Sequence, residues 1–214
     1  MTRAGQHLPP SERMVAFTDA AVAIALTLLV LPLVDLVPEA VHSGETPSAM
    51  IHHNLAAIGS FLLSFVVIAR FWAAHHRLFG YGHRLTRELV ALNLLWVLTI
   101  AVLPFPTEML ASFDPRGFVM SFYLAVLLVC SASLGAMSIL MRRTAVRDEL
   151  EDAVPEDFVV GALTSTATIL IALVVVLVFP AVGPWVFFIL FADPVLEPLI
   201  RWVRGGRTGR RAAG

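Results

Sequence analysis

Lysine is absent from these 214 residues, so all fifteen basic side chains are arginines. No Walker A loop can then be written, and the glycine-rich dinucleotide fingerprint and the G-x-S-x-G elbow are missing too. There is no HExxH, CxxC or EF-hand pattern, so neither a metal site nor an enzyme is expected. Cysteine is reduced to Cys130, inside an apolar run, which excludes an intrachain disulfide. Cys130 reads as a small packing residue. Charge is scarce: 14% of residues are charged and 58% are hydrophobic, with a mean hydropathy of +0.82. A soluble domain of this size rarely has that balance, whereas a set of membrane helices does. The net charge of -1 says little, because the charges sit in particular connections. No long polar segment is left for a soluble domain, and no internal repeat is visible.

What is present is a series of six apolar runs, at about 14–37, 51–74, 89–110, 117–141, 158–179 and 184–203. A bilayer core about 30 Å thick takes roughly 20 helical residues. The expectation is an all-α, polytopic membrane protein with six transmembrane helices over residues 13–204. A polar tail, 1–12, precedes them and a basic tail, 205–214, follows. The last run is the weakest, because Asp193, Pro194, Glu197 and Pro198 interrupt it. No cleavage site follows the first run, so the N-terminal tail is expected to be retained. With both termini inside, fourteen of the fifteen arginines face the cytoplasm and only Arg116 lies outside. That asymmetry obeys the positive-inside rule, and an odd number of spans would spoil it. The arginine-rich tail reads as enforcing this topology.

The first run carries Arg13 and Asp19 near its start and Asp35 near its end. An ionised side chain in a membrane helix is expensive and usually faces a partner or a water-filled path. Arg13 and Asp19 are six residues apart, hence on different helix faces, and each should reach another helix. Trp72, His75 and His76 at the end of the second run and Asn93 in the third are candidate partners. Such a network could lock helices together or act in conduction. Ile24, Thr27, Leu28, Leu31 and Asp35 fall on one helical stripe. Around a central axis the three apolar residues would form stacked hydrophobic constrictions and Asp35 an acidic outer ring. Spacing alone equally describes ordinary helix packing. The paired histidines, His52 with His53 and His75 with His76, diverge around a helix and do not suit one ion. A pH-sensing role for them stays open. The PFP sequence at Pro104–Pro106 should kink or end the third helix.

Several of these stretches resemble the transmembrane protein 175 family of endosomal and lysosomal potassium channels and their bacterial homologues. RMVAFTD is similar to the R-x-x-x-F-S-D signature of the family's first helix, with Arg13, Phe17 and Asp19 matching and Thr18 keeping the hydroxyl. FWAAHHRLF and LNLLWVLTIAVLPFPT resemble its second and third spans, so the likeness covers roughly residues 12–110. The resemblance implies a potassium-selective leak channel in a bacterial plasma membrane, a homotetramer around the first helix, with potassium as the permeant ion. It puts the hydrophobic constriction at Ile24, Leu28 and Leu31 and a hydroxyl at Thr27. Arg13, Phe17, Thr18 and Asp19 would then hold the pore helix against spans two and three. No cofactor and no nucleic-acid partner is implied, and no TVGYG-like carbonyl filter occurs. The rival reading is a proton-coupled transporter using Asp19 and the histidines. A membrane protein with no flux is a third.

Overall fold

The structure is a computed structural model that describes residues 10–81, 84–149 and 152–187. Those residues form eight α-helices: α1 (Pro10–Leu28), α2 (Leu31–His42), α3 (Pro47–His53), α4 (Leu55–Phe79), α5 (Arg87–Val102), α6 (Pro104–Ser112), α7 (Phe118–Arg147) and α8 (Glu156–Val178). A 3₁₀ turn, Pro180–Val186, follows. No strand is present among the described residues. Lipid explains the choice, because a helix satisfies its own backbone groups where no water can.

Five stretches are long and apolar enough to cross a membrane: Ser11–His42, Leu55–Phe79, Arg87–Ser112, Phe118–Arg147 and Glu156–Val178. They correspond to the first five of the six expected runs. The sixth expected run starts inside the 3₁₀ turn, and from residue 188 onward it lies outside them. Helix α1 begins at Pro10, within the stretch 1–12 read as a polar tail.

Two of the five spans are broken helices. Between α1 and α2 the chain leaves the helix at Leu29 and Val30. Pro32 has no N–H to offer the carbonyl of Leu28, one turn back, so the ladder fails there. Val30 bonds instead to Thr27 O at 3.4 Å, and Leu33 to Val30 O at 3.0 Å. The single stripe expected from Ile24 to Asp35 is therefore carried by two helices. The third span breaks at Leu103, where Pro104 and Pro106 start α6, as the PFP sequence suggested.

Helix α7 is the most deeply buried span and packs chiefly on α8 and α5. Trp96 on α5 and Tyr123 on α7 are the largest fully buried side chains. Small residues allow close approach: a Cβ built on Gly135 of α7 would lie 3.6 Å from Leu163 on α8. Beside it, Ser131 and Thr166 hydroxyls lie 2.9 Å apart across the same seam. At the end opposite the arginine-rich one, the turn holding Gly183 (φ 50°) presses on Arg116, whose Cγ would sit 3.2 Å from an added Cβ. Both the positive φ and the contact require glycine there.

Helix α1 sits at the side of this bundle, against α5 and α4. Thr18, Val22, Ala25 and Leu29 are buried, a spacing of four, three and four that draws one helical face. Phe17, Ile24, Leu28 and Leu31 are exposed on the opposite side.

Candidate functional site: the first helix and its buried polar network

The buried face of α1 is tied to the bundle by a short relay of hydrogen bonds. The Thr18 hydroxyl donates to Met14 O at 3.0 Å within its own helix. Its oxygen then accepts from Asn93 Nδ2 of α5 at 2.9 Å. Asn93 must therefore turn its carbonyl oxygen toward α4, where His75 Nε2 lies 2.7 Å from Oδ1. An amide oxygen only accepts, so the proton on this bond belongs to His75 Nε2. Thr18, Asn93 and His75 are all 0% exposed, so no water competes for these groups.

The His75 ring is held between two aromatic faces, Trp96 at 4.4 Å and Phe79 at 4.5 Å between centroids. Its other nitrogen, Nδ1, is buried with no hydrogen-bond partner among the described residues. A second contact reaches α1 nearer the surface, where Trp72 Nε1 donates to Asp19 Oδ1 at 2.8 Å. Trp72 also packs on the ring of His76, with centroids 5.5 Å apart.

The structure thus brings together Thr18, Asp19, Trp72, His75, His76 and Asn93. Arg13 and Phe17 are not part of this cluster: both are exposed on α1, and Phe17 is 54% exposed. The reason is angular. Thr18 and Asp19 lie on or beside the buried face, whereas Phe17 shares a side with Ile24 and Leu28. Trp96 was missed as a member. Its spacing of three from Asn93 puts both on one face of α5, and that was the available signal.

A second relay also escaped the sequence reading. Thr107 Oγ1 lies 2.7 Å from both Leu103 O and Ser64 Oγ, and Ser64 Oγ lies 3.2 Å from the Tyr123 hydroxyl. Each hydroxyl has one hydrogen, so the consistent order runs from Tyr123 to Ser64 to Thr107 to the Leu103 carbonyl. It links α7, α4 and α6 just where the third span breaks. Lone hydroxyls in apolar runs were the only hint. Tyr123→Phe is expected to cost about 0.6 kcal/mol, and at most about 1.7, the range of interhelical hydrogen bonds in lipid. Thermal unfolding in detergent measures this; no loss would mean the relay has another donor.

The other face of α1 and α2 is a surface without a partner among the described residues. Ile24 is 60% exposed, Leu28 42% and Leu31 52%, with Thr27 and Asp35 also exposed. The Thr27 hydroxyl is turned back to Ile24 O at 2.7 Å. At the far end His53 Nδ1 pairs with Glu45 Oε1. No group of three or more His, Cys, Asp or Glu is placed to hold a metal ion among the described residues.

Apolar helices of membrane length, joined by buried polar relays, define a multi-pass membrane protein. Residues 13–104 match the family model described as endosomal/lysosomal potassium channel TMEM175. The matched stretch contains α1 from Arg13 on, the α4 partners and all of α5. It is 39% identical over 106 residues to a protein of Streptomyces collinus named as a potassium channel, covering 48% of each chain. It is 35% identical over 104 residues to a potassium channel of Chamaesiphon minutus, covering 47% of this chain and 49% of the other. The human protein named endosomal/lysosomal proton channel TMEM175 is 28% identical over 145 residues, 64% of this chain and 26% of that one. The chain therefore spans about half the length of the bacterial relatives it matches. The crystal structure of the Chamaesiphon lysosomal potassium-selective channel TMEM175 homologue superposes with a TM-score of 0.66. It is 22% identical and covers 90% of this chain and 96% of that one, a likeness of fold.

Proposed function

We propose that this chain is a potassium-selective leak channel of a bacterial plasma membrane, a homotetramer whose α1 and α2 helices line the pore. The observation that carries the reading is the two-sided character of α1. One face is locked to α4 and α5 by Thr18, Asp19, Asn93 and His75, and the other presents Ile24, Leu28 and Leu31 with nothing against them among the described residues. Copies arranged about an axis would turn these side chains into apolar rings, which gate by dewetting. Thr27 would stand beside the constriction and Asp35 at the outer mouth, where an acidic ring concentrates cations. The choice of potassium follows the names of the two bacterial relatives. The larger ion also sheds its water at lower cost. Conduction needs no catalytic step and no cofactor, and both termini would be cytoplasmic.

The test is flux. In proteoliposomes, passive potassium flux that does not saturate and needs no proton gradient is expected, with sodium slower. Flux seen only under a proton gradient would favour the proton-coupled transporter instead. Asp19 separates assembly from permeation. Asp19→Leu removes the acceptor and strands the Trp72 N–H, whereas Asp19→Asn keeps an oxygen for it. The expected order of assembled fraction by size-exclusion chromatography is wild type, then Asp19→Asn, then Asp19→Leu, with the potassium/sodium ratio unchanged in whatever assembles. A stable assembly with an altered ratio would place Asp19 in the permeation path.

A further inference from the structure

The first span is built in two halves that are held in different ways. Helix α1 is fixed by side chains: Asn93 of α5 donates to Thr18, and Trp72 of α4 donates to Asp19. Helix α2 has no such tie. Among the described residues its side chains make one hydrogen bond, His42 Nδ1 to Pro38 O at 2.7 Å, inside α2 itself. Thr18, Val22, Ala25 and Leu29 are buried in the first half, whereas α2 buries only Ala40. A segment with few buried contacts has low local stability. Helix α2 does pack on α3, the next helix of the chain, and Glu45 between them pairs with His53 at the end of α3. The two helices thus form a hairpin held to itself.

The halves meet where the backbone ladder is thinnest. Pro32 offers no N–H to Leu28 O, and the Val30 N–H reaches Thr27 O only at 3.4 Å, beyond the usual range. The root of α2 also faces slack packing. Leu29, Pro32 and Leu33 line a void of about 10 Å³ together with Ala57 and Phe61 of α4. Pro104, where the third span is broken, lines the same void, which is at the lower limit for one water. Two proline breaks therefore converge on one gap.

Hinges are a few residues at element ends that absorb changes in φ and ψ. We propose that Leu29–Pro32 is a hinge, on which α2 and α3 pivot as one hairpin while α1 stays fixed. A rise of 1.5 Å per residue puts Asp35 about 7 Å beyond Val30, so a swing of about 20° displaces it by about 2.5 Å. The consequence for conduction rests on the pore reading above: Ile24 and Leu28 stay still, Leu31 tilts, and the Asp35 ring widens or narrows at the outer mouth. The pivot itself is independent of that reading.

The experiment uses the full-length, assembled protein in lipid nanodiscs and reads fluorine NMR. Cys130 is buried, so one introduced cysteine takes the trifluoroethylthio tag. Val37→Cys, exposed on α2, reports on the hairpin, and Ala20→Cys, exposed on α1, reports on the fixed half. Val37→Cys is expected to give two exchanging lines, the minor one at about a tenth of the intensity, a gap of about 1.4 kcal/mol. Ala20→Cys should give one line. Adding Pro32→Ala, which restores the N–H and continues the helix, should remove the minor line. Val30→Gly, which frees the backbone at the break, should raise it. Each variant is checked by its unfolding midpoint, so that a changed line is not a changed fold. A single line from Val37→Cys, with and without Val30→Gly, would overturn the proposal: a neighbouring copy, or a segment outside the described residues, would then clamp α2. Two lines from Ala20→Cys would overturn it too, because the whole span would be moving. Potassium flux into proteoliposomes is measured on the same variants. Flux that changes in step with the minor line supports the pivot as a gate at the outer mouth. Lines that respond as expected with flux unaltered would leave the hinge standing and remove α2 from the pore.

Discussion

Ile24→Asn is expected to raise cation conductance on the order of tenfold and to reduce the preference for potassium over sodium. Ile24 is the most exposed of the three large apolar side chains on the proposed pore face, at 60%. A ring of such side chains excludes water, so an ion crossing it must leave part of its hydration shell behind. That loss is the barrier, and the unequal loss for two ions is the selectivity. An asparagine ring supplies amide dipoles that hold water in the constriction. A barrier lowered by about 1.4 kcal/mol gives the tenfold change. The mutation leaves the fold intact, because the buried face of α1 consists of Thr18, Val22, Ala25 and Leu29 instead. Single-channel recording in planar bilayers under bi-ionic conditions measures both quantities. Unchanged conductance together with an unchanged permeability ratio would remove Ile24 from the constriction.

The second large effect is in stability. Asn93→Leu is expected to destabilise the folded subunit by about 2–4 kcal/mol, although the two side chains are similar in size. Asn93 hydrogen-bonds both Thr18 and His75. Losing the contact to Thr18 is mild, about 0.6 kcal/mol, since that hydroxyl keeps its bond to Met14 O. The remainder comes from His75. Its Nε2–H would be left without an acceptor, and an orphaned buried donor costs about 1–3 kcal/mol. The ring cannot turn for relief, because Trp96 and Phe79 hold its two faces. Asn93→Asp retains an acceptor for His75 but offers Thr18 no N–H, and it buries a carboxyl group. It should fall between wild type and the leucine variant only if that carboxyl is protonated. Unfolding in mixed micelles followed by tryptophan fluorescence distinguishes the three proteins. A leucine variant as stable as wild type would mean that the relay contributes only geometry.

Much of this protein was legible in the order of its residues, for a reason particular to membranes. A helix in lipid satisfies its backbone by itself, so the length and apolarity of a run suffice to define it. Five spans follow from that local property, and the PFP break at Leu103 follows from the chemistry of proline alone. The break at Leu29 and Val30 rests on the same chemistry, at Pro32, but was hidden by the unbroken apolarity around it. The candidate residues around α1 were legible as types, because polar groups in lipid must find partners.

Which partner each one found was decided by the tertiary structure. Hydropathy is uniform along these helices, and lipid is as apolar as leucine, so no hydrophobic force selects the face that packs. Shape and the matching of donors to acceptors make the choice, and both depend on residues far apart in the chain. Thr18 meets Asn93 across 75 positions, and Asp19 meets Trp72 across 53. Arg13 and Phe17, in the same seven-residue stretch, are left on the outer side by the pitch of α1. The amino-acid sequence by itself determined that the chain enters a membrane, where it crosses, and which polar groups needed company. Only the packed helices decided which face of α1 is held and which is left exposed, because that choice is made by contact geometry, which no local window contains.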